Sequence, residues 1–232
     1  MMTFIVILVV SGALLLGALW GIYGSLSKKT EGFLIALAGG ALIVSAVLEL
    51  IKPATDKANL VWALVFVAVG ALVFTGLDYV VKKKWGSDSG GGLLAAITLD
   101  GIPENLAMGV ALIGTGPMEV AALCGAIFLS NLPEAAGGAK EMTEDGSSKK
   151  KTLMLWAATA LLLAGAALAG NLLLTNVLDD TLSYIRCFAG GAVVASLATE
   201  VFPKAFKEDD YMAGIATAIG LILAFYLNSL GN

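Results

Sequence analysis

The sequence contains no histidine. That removes the commonest metal-binding imidazole and the usual proton switch near neutral pH. It also removes every Ser-His, Cys-His or His-based metal motif on which an intramembrane enzyme could be built, so no enzyme is expected. Charge is scarce as well. Only 14% of the 232 residues are charged and 58% are hydrophobic, where an ordinary soluble domain has about 25% and 45–50%. With a mean hydropathy of +0.89, a water-soluble globular protein is excluded, and nucleic acid drops out as a partner. There are 5 prolines against 28 glycines, a mixture suited to membrane helices whose backbones approach closely. The two cysteines, Cys124 and Cys187, lie in apolar runs without CxxC spacing and read as buried bystanders. No Gly-rich phosphate loop occurs, and no segment is polar enough to form a soluble domain, so no organic cofactor is expected.

Long apolar runs use up nearly the whole chain. Crossing about 30 Å of hydrocarbon takes roughly 20 residues, and eight runs qualify: about 3–25, 32–53, 59–81, 91–114, 117–139, 152–177, 181–203 and 211–230. The expected fold is therefore all-α, one eight-span transmembrane domain over 1–232 in contact with the lipid bilayer. The first run has no basic leader and no small-residue cleavage site, so it reads as a retained span. Lysine and arginine set the orientation, because basic loops stay cytoplasmic. Eleven of them follow spans 1, 3, 5 and 7, and three (Lys52, Lys57 and Arg186) lie on the other side. This predicts two outside termini, with Arg186 and the lysines at span ends where they can snorkel.

The chain repeats itself. AGGALIVSAVLELIKPA, from Ala38 to Ala54, aligns with AGGAVVASLATEVFPKA, from Ala189 to Ala205, with Glu49 opposite Glu200. The two copies fall in spans 2 and 7, which run in opposite directions under the predicted topology. A shorter echo pairs LDGIPEN (99–105) in span 4 with LSNLPEA (129–135) in span 5. The pattern predicts a 3+2+3 inverted repeat with a site where the halves meet.

Carboxylates inside a bilayer are costly, so they face the bundle interior or a wet path. Asp100, Glu104 and Glu134 are the deep ones, and Glu49 and Glu200 lie toward opposite ends of their helices. Asp100 and Glu104 share a helix face at i, i+4, as do Ser130 and Glu134, with Asn131 one step round. Pro103 and Pro133 cannot donate to the carbonyls of Leu99 and Leu129. Breaks there would add acceptors, and the whole group would form an oxygen-rich cation site. Acids this dense, without intramembrane bases, argue against an anion or sugar carrier. Asp78, one turn before Lys82, is expected to form an interfacial ion pair. Met108 reads as packing, and Glu119, Asp179 and Asp180 read as solvated loop acids.

The eight spans, the paired Pro-Glu motifs of spans 4 and 5 and the AGG…E…P-A runs of spans 2 and 7 resemble the ZIP (Zrt/Irt-like) divalent metal transporters along the whole chain. The resemblance implies a multi-pass protein of the cell membrane, plasma or inner. It implies a divalent metal ion as substrate, of the Zn, Fe, Mn or Cd type, and, since many relatives dimerise, a homodimer. It implies a mid-membrane metal site, often binuclear, in spans 4 and 5, and an elevator-like cycle of spans 2, 4, 5 and 7. The family His position falls on Asp100, its Asn on Gly101 and its Glu on Glu104. The span 5 ligand positions fall on Ser130, Asn131 and Glu134, and the outlying ligands on Glu200 and Glu49. Gly101 has no side chain to offer, Asn131 stands where an acid is frequent, and no carboxylate occurs between Thr152 and Val177. These departures imply one surviving metal position of two. The loop after span 3 offers no ligand of note beyond Asp88. Oxygen-only ligation pulls the chemistry toward Mn²⁺, Fe²⁺ or another harder ion, while the resemblance favours Zn²⁺ or Fe²⁺. Other readings are a protein that binds or senses an ion without carrying it, or a carrier of protons or a non-metal solute.

Overall fold

The computed structural model describes residues 2–85, 90–114 and 120–231. Eight helices make up almost all of them, and no strand occurs among them. They are α1 (Met2–Tyr23), α2 (Lys28–Lys57), α3 (Leu60–Trp85), α4 (Gly90–Ala111), α5 (Ala121–Glu144), α6 (Lys149–Leu174), α7 (Asp179–Glu208) and α8 (Ala213–Gly231). Each coincides with an apolar run of the sequence to within a few residues. Among the described residues six helices, all but α4 and α5, are long and apolar enough to cross a membrane. In α5 the run Ser130, Asn131, Pro133 and Glu134 lowers the apolarity of the middle of the helix. Asp88 and Glu119 lie outside the described residues.

Local chemistry sets the helix starts. Ser27 accepts a hydrogen bond from Thr30 N (3.1 Å) at the start of α2, and Ser148 accepts from Lys151 N (3.3 Å) at the start of α6. Asn59 Oδ1 takes the Val61 and Trp62 amides ahead of α3. The α5–α6 turn passes through Gly146 at φ 91°, a conformation that favours glycine.

Helix α2 widens into a π turn over Ala46–Ile51, and α7 does the same over Leu197–Val201. In each the turn closes with an i→i−5 bond, Lys52 N to Val47 O and Phe202 N to Leu197 O. In each the next residue is a proline, Pro53 or Pro203, whose missing N–H favours the change of register. The helix breaks expected at Pro103 and Pro133 are absent: both prolines sit inside continuous helices. Both helices are held by neighbours along their length. α4 packs against α2, α3, α5, α6 and α7, and α5 against α1, α2, α4, α6 and α8.

Glycine decides how the helices pair. A methyl group on Gly17 or Gly21 of α1 would lie 2.2 Å from Leu132 O or 2.0 Å from Ala136 O of α5. In α2 and α8, Gly40 faces Thr217 O (1.9 Å) and Gly220 faces Leu37 O (1.8 Å) on the same measure. In α3 and α7, Gly70 faces Phe188 O and Gly191 faces Val67 O, both at 2.0 Å. In α4 and α6, Gly109 faces Ala167 O at 2.0 Å, and Asn171 Nδ2 donates to Gly109 O (3.1 Å). Four close pairs result: α1 with α5, α2 with α8, α3 with α7 and α4 with α6. Helices α3 and α8 keep long apolar faces exposed, including Val61, Leu72, Ile222 and Phe225. Cys187 is buried and Cys124 half-buried, and both are free thiols.

These contacts predict that Gly40→Ala and Gly191→Ala each cost about 1–3 kcal/mol, the range for overpacking. Gly165→Ala, with nothing within 4 Å of its methyl position, should be neutral or slightly stabilising. Thermal melting in detergent checks both; equal midpoints for all three variants would contradict the pairing.

Candidate cation site

The mid-helix acids of α4 and α5 come together in the interior. Asp100, Glu104, Ser130, Asn131 and Glu134 are all at most 8% exposed. Ser130 Oγ donates to Glu134 Oε1 (2.7 Å), the contact their i, i+4 spacing implies. Asp100 reaches across to α7, where Ser196, just before the π turn, donates to its Oδ1 (2.9 Å). Glu104 makes no hydrogen bond or ion pair with any described residue. Asn131 Nδ2 is buried without an acceptor. Asp100 lies within electrostatic reach of Glu134, Glu200 and Glu104, and Glu104 within reach of Glu134, so the three deep acids form one mutually repelling group. None of the three forms an ion pair with a lysine or arginine among the described residues.

Two neighbours of this group are not apparent from the sequence. Ser196 is one, a small polar residue in a Gly/Ala-rich run. Asn105 is the other. It is fully buried, its Nδ2 donates to Gly101 O (2.9 Å), and its Oδ1 has no donor. Its position directly after Glu104 in LDGIPEN was the available signal. Gly101 also acquires a packing contact: a methyl there would stand 2.4 Å from Leu163 Cδ1 of α6, so a side chain would require Leu163 to move. Met108 is fully buried in the apolar core.

The outlying acids have other partners. Glu200, inside the π turn of α7, pairs with Lys82 of α3, and Lys82 also binds Asp78 Oδ2 (3.0 Å) as its i, i+4 spacing implies. Asp78 and Glu200 are within hydrogen-bonding reach of each other. One lysine thus holds two carboxylates and ties α3 to α7. Beside it, the buried Glu31 of α2 pairs with Lys204 of α7 (3.2 Å), and Lys28 pairs with Glu208 (3.5 Å). Glu31 is seated against Gly137 of α5, where a methyl would lie 2.1 Å from its Oε1. Lys204 also attracts Glu134. The bases near the acid-rich interior are thus supplied from helix ends, Lys82 from α3 and Lys204 from α7.

Glu49 is separate from the others. Its Oε1 accepts from Leu123 N (3.1 Å), a first-turn amide of α5 with no partner inside its own helix. The carboxylate caps α5 and meets the positive end of that helix dipole. Its Oε2 and the Oγ of Ser45 are both buried without a hydrogen-bond partner. The seven candidate ligands therefore divide: Asp100, Glu104, Ser130, Asn131 and Glu134 in one buried region, Glu200 linking it to Lys82, and Glu49 at the start of α5. Among the described residues no group of three or more His, Cys, Asp and Glu side chains closes to the spacing that holds a metal ion. No protein-family model matches the chain, and no curated protein matches it.

Lys82 is the testable joint of this arrangement. Lys82→Met leaves Glu200 and Asp78 facing each other without a cation and should cost about 1–2 kcal/mol. The double variant Lys82→Met/Glu200→Gln should be more stable than Lys82→Met alone. A double-mutant cycle on thermal midpoints checks this, and additive effects would show that the pair is not coupled.

Proposed function

We propose that this chain is a secondary transporter of divalent metal cations, with eight spans in a 3+2+3 inverted repeat, both termini outside, and a mid-membrane site at Asp100, Glu104, Ser130, Asn131 and Glu134. The observation that carries the reading is the burial of three carboxylates on two adjacent helices with no cation paired to any of them. Burying several unpaired carboxylates costs many kcal/mol, and a bound divalent cation offsets that cost. The harder Mn²⁺ and Fe²⁺ suit all-oxygen ligands best; the ZIP resemblance favours Zn²⁺ or Fe²⁺.

The helix pairing supports the repeat. Exchanging α1 with α6, α2 with α7, α3 with α8 and α4 with α5 turns the four close pairs into one another. The π turns fall at the same register of the two repeated segments, Glu49 in one and Glu200 in the other. The cell membrane, plasma or inner, and a homodimer belong to the same reading. A second reading has an observation of its own: with no closed three-ligand group among the described residues, the three acids could carry protons in place of a metal.

Uptake into proteoliposomes separates the two. Wild-type protein should carry one or more of Zn²⁺, Mn²⁺, Fe²⁺, Co²⁺, Cd²⁺ and Mg²⁺, and Glu104→Ala/Glu134→Ala should fall to the background of protein-free vesicles while still eluting as folded protein. Flux retained in the double variant removes these residues from the site. Proton flux in the same vesicles without movement of any metal favours the proton carrier.

A further inference from the structure

Arg186 is a buried cation with no counter-ion among the described residues. It lies in the second turn of α7, only 7% exposed. Its Nη2 donates to Val110 O (3.3 Å) and Ile113 O (3.1 Å), at and just beyond the last turn of α4. Nε has no acceptor, and among the described residues Nη1 has no hydrogen bond and no carboxylate lies within ion-pair distance. The C-terminus of α4 contributes about half an elementary charge of opposite sign. Carbonyl partners satisfy two N–H bonds but leave the remaining charge uncompensated, an expensive state for a buried ion. Lys82 and Lys204, by contrast, each hold a carboxylate.

Two cavities open on this guanidinium. The larger, about 420 Å³, is lined by Arg186, Lys52, Lys57 and Glu49 among others. The smaller, about 200 Å³, is lined by Arg186, Lys57, Ser183 and Asp179 among others. Lys52 is held by Asp56 on its own helix, whereas Lys57 makes no ion pair among the described residues and is free to turn inward. Glu49 is engaged with the α5 amide and lies beyond ion-pair distance of Arg186. Among the described residues lining the larger cavity, Arg186 and Lys57 have no carboxylate partner, and the one carboxylate, Glu49, is engaged elsewhere. Val110 is ten residues from Asp100 along α4, about 15 Å, so this is a different site from the acid group.

We propose that the cavity between Arg186 and Lys57 binds a small oxyanion, a phosphate or carboxylate group, which supplies the missing counter-charge. The guanidinium suits such a group because it is planar, always charged and rich in donors. A free anion and the phosphate of an anionic lipid headgroup share this chemistry.

The test uses the full-length chain in a neutral maltoside detergent, with chloride as the only buffer anion and no divalent metal, so its outcome is independent of the transport reading. Inorganic phosphate or short-chain phosphatidylglycerol is titrated while the thermal midpoint is followed. The expected result is a saturable rise, with apparent affinity at least about tenfold weaker in Arg186→Gln, which removes the charge yet keeps a donor for the α4 carbonyls. Lys57→Gln, on an exposed residue, should weaken it severalfold. A response to phosphate identifies a free oxyanion, and a response to the lipid alone identifies a headgroup; either supports the site. No saturable rise with either ligand in wild type overturns it. So does wild-type affinity in both variants, or in Lys57→Gln alone if Arg186→Gln does not fold.

Discussion

Everything in this structure depends on how closely glycine lets the helix backbones approach. Between helices in an apolar medium the hydrophobic effect offers little, and packing and hydrogen bonds must provide the association. Gly40, Gly70, Gly191 and Gly220 each sit where a single methyl would overlap a carbonyl oxygen of the facing helix. Contact at that distance is permitted only to a residue without Cβ. The pairing of α2 with α8 and of α3 with α7 is therefore written into four positions. With α1 on α5 and α4 on α6 fixed the same way, α4 and α5 keep neighbours on several sides, and the acids in their middle turns are enclosed.

Enclosure then sets the electrostatics. Lysines near the ends of α3 and α7 reach Glu200 and Glu31 on neighbouring helices and Asp78 on α3 itself. They form no ion pair with Asp100, Glu104 or Glu134, although Lys204 attracts Glu134 from a distance. Near the other end of α4 the imbalance reverses, with Arg186 bonded to carbonyls and no carboxylate in range among the described residues. Opposite charges that could have neutralised one another are held about 15 Å apart along the same helix. Each group keeps its charge without an internal partner of opposite sign among the described residues.

The parts legible in the sequence are those governed by local spacing. The eight helices follow from run length, the Asp78–Lys82 and Ser130–Glu134 contacts from i, i+4 geometry, and the shared register of the π turns from the repeated segments. What was not legible is set by which helix lies beside which. Lys82 near the end of α3 meets Glu200 in α7, Ser196 meets Asp100, and Glu49 meets the amide of Leu123, with 74 to 118 residues between partners. Arg186 was expected at a lipid-facing end because it lies near a span boundary. It is buried because the C-terminal carbonyls of α4 offer a guanidinium better hydrogen bonds than a snorkelling route would require it to seek. The prolines misled in a different way. Pro103 and Pro133 lie in helices held on several sides, where packing keeps the helix continuous. Pro53 and Pro203 lie near helix ends, where the chain can add a residue to the turn.

The two copies of the repeated segment show how one local device serves two purposes. Ser45 and Ser196 occupy the same register, each just before its π turn. Ser45 Oγ is buried without a partner, and Glu49 of the same helix caps α5. Ser196 instead donates across to Asp100 of α4, while Glu200 turns to Lys82. A π turn shifts the side chains that follow it by one residue around the axis, about 100°, so a carboxylate within it can face a neighbouring helix and not its own preceding turn. In α2 that freedom is used to hold the start of α5. In α7 the serine ahead of the turn reaches the deep acid, and the glutamate within it is left to a lysine. The same sequence element thus fixes one central helix at its end and contacts the other at its middle, which is where a bound cation would need a helix able to shift.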